Sequence, residues 1–424
     1  MRPVLTPKQM RVLDTEATTA GTPIEILIGR AGAAVARAAK RMMGGLYGRT
    51  VVVITGKGNN GADGRVTARL LADQGVRVHV IDAEHMPLRL PVSDLIIDAA
   101  FGTGFRGDWS PPATKGVPVL AVDIPSGIDG LTGLAAPDTW QATRTVTFVA
   151  LKPGLLLGAG RALCGEVELV DIGINLGMGN VDINEVERSD VSQWVPQRPF
   201  DSHKWKAALY AVAGSSGMMG AANLCSASAM RAGAGIVHVA SPGIVSDRST
   251  STEIVRRALP ALGWSHEVLD DLSRFKAIVI GPGLGRDEGT VSETRRIIAG
   301  AHIPMVIDGD GLFAVAWGGE GARDIVRSRA AGTVLTPHDG EYTTLLGYAP
   351  SHDRITSARR LASDTNCVCL LKGTTTVVAE PSGEVLMVAN GDQRLATAGT
   401  GDVLAGIIGA LLAQGVEPFH AAAS

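Results

Sequence analysis

The chain has 424 residues, 45% of them hydrophobic and 19% charged, with a formal net charge of −3. A prior of about 150 residues per domain gives two or three domains with full cores, and the near-neutral balance makes no electrostatic case for nucleic acid or an anionic membrane as partner. The opening MRPVLTPKQM lacks the apolar core of a signal peptide, and no apolar run is long enough to span a bilayer. Four cysteines without a C-x-x-C pair read as reduced core thiols, and the expected compartment is cytoplasmic.

Residues 8–42 carry helical periodicity in two runs, an N-terminal pair that packs on a sheet or on another subunit, which makes a homo-oligomer the expectation. VVVIT (51–55) then reads as a fully buried strand, followed by the glycine loop GKGNNGADG and an amphipathic helix closed by Gly75. VRVHVID (76–82), LIIDAAFGTG (95–104), VPVLAVDIPSG (117–127), TVTFVA (145–150) and EVELVDIGI (166–174) continue the alternation. Periodicity lapses over 180–204, a polar stretch that marks a boundary between a first domain, 1–190, and a second, 191–424. Strands resume at 208–214, 235–241, 277–285, 303–311, 333–341, 368–373 and 375–390. The fold class is α/β, two tandem doubly wound domains with ligands at the carboxyl ends of the strands.

Gly56-x-Gly58-x-x-Gly61 with Asp82 further on meets the dinucleotide fingerprint and would by itself indicate a Rossmann oxidoreductase. Asn59 and Asn60 put amides where a pyrophosphate should approach the backbone, and Asp63 brings a repelling charge to the helix start. The loop suits a polar ligand or a cation instead. Asn60, Asp98 and Ser126 are oxygen donors on neighbouring strand ends, a hard-cation shell if they converge and three helix caps if they do not.

No G-x-x-x-x-G-K-[ST] occurs, so a Walker-type site is excluded. GPGLG (281–285), TPHDGE (336–341), LKGTTT (371–376) and AGTGD (398–402) follow strands of the second domain and can hold a diphosphate through backbone amides and one lysine. AGTGD runs into VLAGIIGALLAQG, so its glycine turn becomes the first turn of a buried helix. A carboxylate at such an anion site makes sense as a base for a hydroxyl receiving a phosphoryl group; the plainer alternative is a helix cap.

GNNGADG, the D-x-x-x-GTG of 98–104 and VDIPSG (122–127) resemble the epimerase half of the NAD(P)H-hydrate repair enzymes. TPHDGE with AGTGD resembles the ribokinase-like ADP/ATP-dependent NAD(P)H-hydrate dehydratases, and the tandem order is that of the bifunctional repair enzyme. The resemblance implies a substrate loop on Asn59, Asn60, Gly61, Ala62 and Asp63, and on Gly102, Thr103, Gly104, Phe105, Arg106, Gly107 and Asp108. It implies K+ on Asn60, Asp98 and Ser126, a catalytic Asp123, which also meets substrate, and Lys152 as a second catalytic group. In the second domain it implies hydrated nicotinamide nucleotide on Ala221, Gly285, His338 and Asp402, with Asp402 the base. It places ADP or ATP, with Mg2+, on Lys372, Gly373, Thr374, Thr375, Thr376 and Gly401. The implied activity is epimerisation of hydrated NADH or NADPH, then ADP-dependent dehydration. The rivals are a small-alcohol kinase with a non-catalytic first domain and a first domain that only binds a ligand or partner. The chain departs from the family at Gly61-Ala62-Asp63-Gly64 (usually GGDG), at HKWKAA (203–208) and at DGDGL (308–312), and a further helix is expected beyond HAAAS.

Overall fold

A computed structural model of the chain describes residues 1–177, 181–244 and 253–424. Two compact units result, Arg2–Asn184 and Glu185–Ser424, dividing within the aperiodic stretch 180–204. Among the described residues no helix is long and apolar enough to cross a membrane.

The first unit opens with α1 (Pro7–Thr19) and α2 (Ile24–Met43). Thr6 and Gln9 cap α1 reciprocally, and Pro7 fits its first position because the missing N–H would be unpaired there anyway. The strands β1 (Thr50–Thr55), β2 (Arg77–Asp82), β3 (Leu95–Ala99), β4 (Val119–Val122), β5 (Arg144–Phe148) and β6 (Glu166–Val170) form a six-stranded sheet. It is parallel throughout, in the order β2-β1-β3-β4-β5-β6. Val51 to Ile54 are wholly buried, as a strand covered on both faces requires, whereas edge strand β2 has no buried residue. The order reverses between β1 and β3, which opens a crevice at their carboxyl ends.

One expectation changes here. The stretch read as a glycine loop is already helix: α3 runs Asn59–Ala72, so Asp63 lies past the first turn, on the buried face. The glycines allow this by close packing. A methyl on Gly56 would run into the carbonyl of Ala100, and one on Gly61 into the carbonyl of Gly56. Gly58, by contrast, has open space around it. The fingerprint spacing thus serves helix-against-strand contact.

In the second unit β7 (Ala208–Val212), β8 (Ile236–Pro242), β9 (Val255–Leu259), β10 (Ala277–Ile280), β11 (Met305–Ile307), β12 (Thr333–Leu335), β13 (Val368–Leu371), β14 (Thr376–Ala379) and β15 (Val385–Val388) lie in one sheet. Their order is β15-β14-β13-β12-β11-β10-β7-β8-β9. All pair in parallel except β14, antiparallel to both neighbours. Helices α4 (Met219–Arg231), α5 (Glu288–Gly300), α6 (Asp310–Ala316), α7 (Asp339–Leu346), α8 (Arg354–Thr365) and α9 (Thr400–Ala413) flank it. Helix α9, expected from its apolar run, crosses the sheet at the β7–β10 reversal and packs along α4. Gly406 brings its backbone against the Cys225 carbonyl, where no larger residue fits. All four cysteines are buried free thiols.

Candidate active sites

In the first unit a cleft of about 610 Å3 opens over the β1–β3 reversal. Of the residues expected there, Asn59, Asn60, Asp63, Gly102 to Arg106, Asp123 and Lys152 line it; Gly61, Ala62, Gly107 and Asp108 stand outside its wall. Asp123 follows β4 with φ 66°, and Val149 follows β5 with φ 67°. Each centres a three-residue turn, closed by Ile124 N–H donating to the Val122 carbonyl (2.8 Å) and Ala150 N–H to the Phe148 carbonyl (2.7 Å). Left-handed turns at non-glycine residues cost about 1–3 kcal/mol each and collect at functional sites; for a β-branched valine the conformation is a true outlier.

These turns set Asp123 against Lys152. The Lys152 ammonium, 2% exposed, donates to Asp123 Oδ1, to Thr147 Oγ1 (2.9 Å) and to the Phe148 carbonyl (3.0 Å), which uses all three of its protons. Thr147 donates to the same Asp123 oxygen at 3.0 Å. Asp14 of α1 and Asp63 also line the cleft. Burial, then the charges of Asp123 and Asp14, push Asp63 up to about 8 against the pull of Lys152. Asp14 is raised as well, by burial first and Asp123 second. At neutral pH Asp63 therefore carries a proton.

Asp98 and Ser126 lie beneath, wholly buried and joined: Ser126 donates its backbone N–H (2.8 Å) and its hydroxyl (2.5 Å) to the two carboxylate oxygens. Phe101 N–H donates to Ser126 Oγ at 2.9 Å, and next to it Gly102 backs onto Asn60. Asn60 is buried with neither its amide oxygen nor its nitrogen partnered.

In the second unit four adjacent strand ends converge. Lys372 after β13 donates to Asp308 Oδ1 after β11 (2.5 Å), and Thr336 after β12 donates to that same oxygen (2.8 Å). Gly281 after β10 admits the Asp308 carbonyl where any side chain would clash. Gly401 covers the pair: a Cβ there would lie 3.3 Å from Lys372 Nζ and 3.7 Å from Asp308 Oδ2. Gly399, with φ 92°, starts α9, and no side chain caps that start. Asp402 stands in the first turn of α9. Burial, then Asp308, raises the Asp402 carboxyl against the opposing Lys372. Asp310 takes the Gly285 N–H at 2.9 Å and pairs with Arg286. His338 caps α7, its Nδ1 accepting from Gly340 (3.0 Å) and Glu341 (3.2 Å), which assigns the ring hydrogen to Nε2. Ala221 lies under Gly283 of the GPGLG turn.

Residues 209–424 match the NAD(P)H-hydrate dehydratase family, and residues 24–91 and 81–154 match the YjeF-related protein N-terminus. The bifunctional NAD(P)H-hydrate repair enzyme of Moorella thermoacetica is 34% identical over 95% of this chain and 86% of its own. That of Mycobacterium tuberculosis is 36% identical over 90% and 82%. The chain belongs to this family of bifunctional repair enzymes. The Escherichia coli member is 32% identical over 88% of this chain and 78% of its own. A solved ADP/ATP-dependent NAD(P)H-hydrate dehydratase from Bacillus subtilis is 28% identical, covering 55% of this chain and 82% of its own, with a TM-score of 0.45.

Two carboxylates of this repair enzyme escaped the sequence reading. Asp14 stands four residues from buried Met10 and next to buried Leu13, an acid at apolar-face spacing in α1. Asp308 directly follows the apolar strand MVI, as Asp123 follows VLAV, but DGDGL registered only as a departure from the family pattern.

Proposed function

We propose that residues 1–190 interconvert the R and S forms of hydrated NADH or NADPH, and that residues 191–424 dehydrate the S form to NAD(P)H at the expense of ADP. The observation that carries the reading is the pairing, in one chain of this family, of two carboxylates poised differently. Asp63 is protonated in a cleft with an ion-paired Asp123, and Asp402 sits uncapped at a helix start beside Lys372.

In the first site the hydroxylated ring carbon is bonded to the ring nitrogen, whose lone pair can expel the hydroxyl once it is protonated. Asp63 supplies that proton, the C–O bond breaks, and water leaves a cationic ring. Asp123, ion-paired with Lys152, steadies the cation. Water then adds to either face and returns its proton to Asp63. Asn60, Asp98 and Ser126 fit K+: they offer oxygens with one formal charge, and the buried Asn60 amide oxygen has no protein partner. Bound there, K+ would supply a positive charge that keeps buried Asp98 ionised.

In the second site Asp402 takes the proton from the ring hydroxyl, whose oxygen attacks the terminal phosphorus of ADP as AMP departs. The α9 first-turn N–H groups and Lys372 hold the phosphoryl oxygens. Phosphate is then a good leaving group: the ring C–O bond breaks, the neighbouring carbon loses a proton, and the dihydronicotinamide ring is restored. No cluster of three or more His, Cys, Asp or Glu side chains able to hold a metal occurs among the described residues. This suits Mg2+ carried in on the nucleotide phosphates. The test is to incubate the protein with hydrated NADH epimers and ADP, ATP or neither, and to follow nicotinamide absorbance. Return with ADP supports the reading; no return with either nucleotide refutes it.

A further inference from the structure

Resting on that dehydratase reading, we propose that Asp308 is a positioning residue: it holds the Lys372 ammonium beneath the Gly401 turn, where the charge faces the phosphoryl group in transfer. Lysine is a point charge on a flexible four-carbon stem, and such a stem at a site mouth samples many rotamers. Here the Lys372 side chain is 20% exposed and its charge is fixed, at 2.5 Å, by a carboxylate only 4% exposed. The Asp308 oxygen that receives it is itself locked by Thr336, which is wholly buried.

The anchoring is built into the sheet. Gly281, Asp308, Thr336 and Lys372 leave the carboxyl ends of four consecutive neighbours, β10, β11, β12 and β13. Gly281 must lack a side chain for the Asp308 backbone to fit, and a Cβ at Gly401 would press on the Lys372 ammonium at 3.3 Å, so α9 begins directly over the ion pair. The strand-end residues therefore place one cation against the uncapped N–H groups of α9, two kinds of positive group aimed at one anion. A pair serving only stability would not need the helix start to close over it. Asp308 acts through Lys372 and touches no reacting atom.

The experiment is a double-mutant cycle in the full chain with Asp308→Asn, Lys372→Ala and both together. Each single change is expected to lower kcat for dehydration about 10²-fold, the size of losing one preorganised electrostatic donor, with KM for the hydrated nucleotide little changed. The double variant should be no slower than Lys372→Ala, because Asp308 has nothing left to position. It should also melt higher than Lys372→Ala, in which the buried carboxylate is left alone. Independently of turnover, acylation of Lys372 by an amine reagent, read by peptide mass spectrometry, should speed at least several-fold in Asp308→Asn. If Asp308→Asn does not fold, Thr336→Val, which removes only the hydroxyl on the same oxygen, should speed labelling in the same direction. Additive kinetic losses, or labelling as slow as in the native chain, overturn the proposal. A native chain that labels slowly but never turns over hydrated NADH refutes the dehydratase reading instead, while the labelling still decides the role of Asp308.

Discussion

Asp63 makes the sharpest quantitative claim about the first site. Its carboxyl rises from an ordinary 3.8 to about 8, chiefly because it is buried in the cleft wall and secondarily because Asp123 and Asp14 face it. At 1.36 kcal/mol per unit, that rise corresponds to on the order of 5 kcal/mol. Between the two values the native chain keeps a proton that the unfolded chain has released. The native state is therefore penalised progressively as pH climbs from about 4 to about 8, in full above that and not at all below. Asp63→Asn keeps the shape and removes the titration. Its stability advantage over the native chain should be near nil at about pH 4 and reach several kcal/mol by about pH 8.5. Hydrogen exchange of the 59–72 helix, followed in both proteins across that range, isolates this unit from the other. Epimerisation should fall as pH rises through about 8 in the native protein and be about 10²–10⁴-fold slower in the variant at neutral pH. A stability difference that stays flat across pH would show Asp63 to be ionised in the native state, and the proton-donor role would go with it.

Three further outcomes follow from the geometry. Asp402→Asn should lower dehydration about 10²–10⁴-fold, with ADP binding by calorimetry unchanged or tighter and epimerisation untouched; near-normal dehydration would remove Asp402 as base. Replacing K+ by Li+ or choline should slow epimerisation and lower the stability of the first unit, by about 2.7 kcal/mol relative to K+ at a hundredfold over its Kd, and Asn60→Ala should abolish the difference. A fragment ending at Asp190 should be soluble and still epimerise; aggregation with loss of that activity would mean the two halves need each other to fold.

Fold and family were legible because they are written in short-range signals. Runs such as VVVIT and LIIDA can only be strands covered on both faces, and the strand–helix alternation fixes the parallel topology. What stayed hidden was set by distance. Asp14 reaches the cleft from a helix that precedes the sheet, so its partners Asp63 and Asp123 are far along the chain. The left-handed conformations of Asp123 and Val149 are not encoded by their residue types, which disfavour them; the surrounding strands impose them. The helical character of Asn59 to Gly64 was masked because glycine spacing signals a loop unless one knows that the Gly56 and Ala100 carbonyls press on it. Nor does the sequence show that His338 Nδ1 serves the first turn of α7 while its Nε2 lies 3.6 Å from Glu341 Oε1.

The two sites solve the same electrostatic problem in different ways. Each gathers carboxylates at the end of a parallel sheet, and a buried carboxylate cannot readily remain charged without a partner. In the first unit the buried ammonium of Lys152 is spent on Asp123, Thr147 and the Phe148 carbonyl, and Asp63, without such a partner, is pushed up to about 8, which suits the acid role proposed for it. In the second, Lys372 is committed to Asp308, while Asp402 is only half-buried at the start of α9. Its carboxyl is raised by burial and by Asp308 against the pull of Lys372, and it is less enclosed than Asp63. On the proposed mechanism, which carboxylate serves as acid and which as base follows from which of them each fold pairs with the lysine of its site.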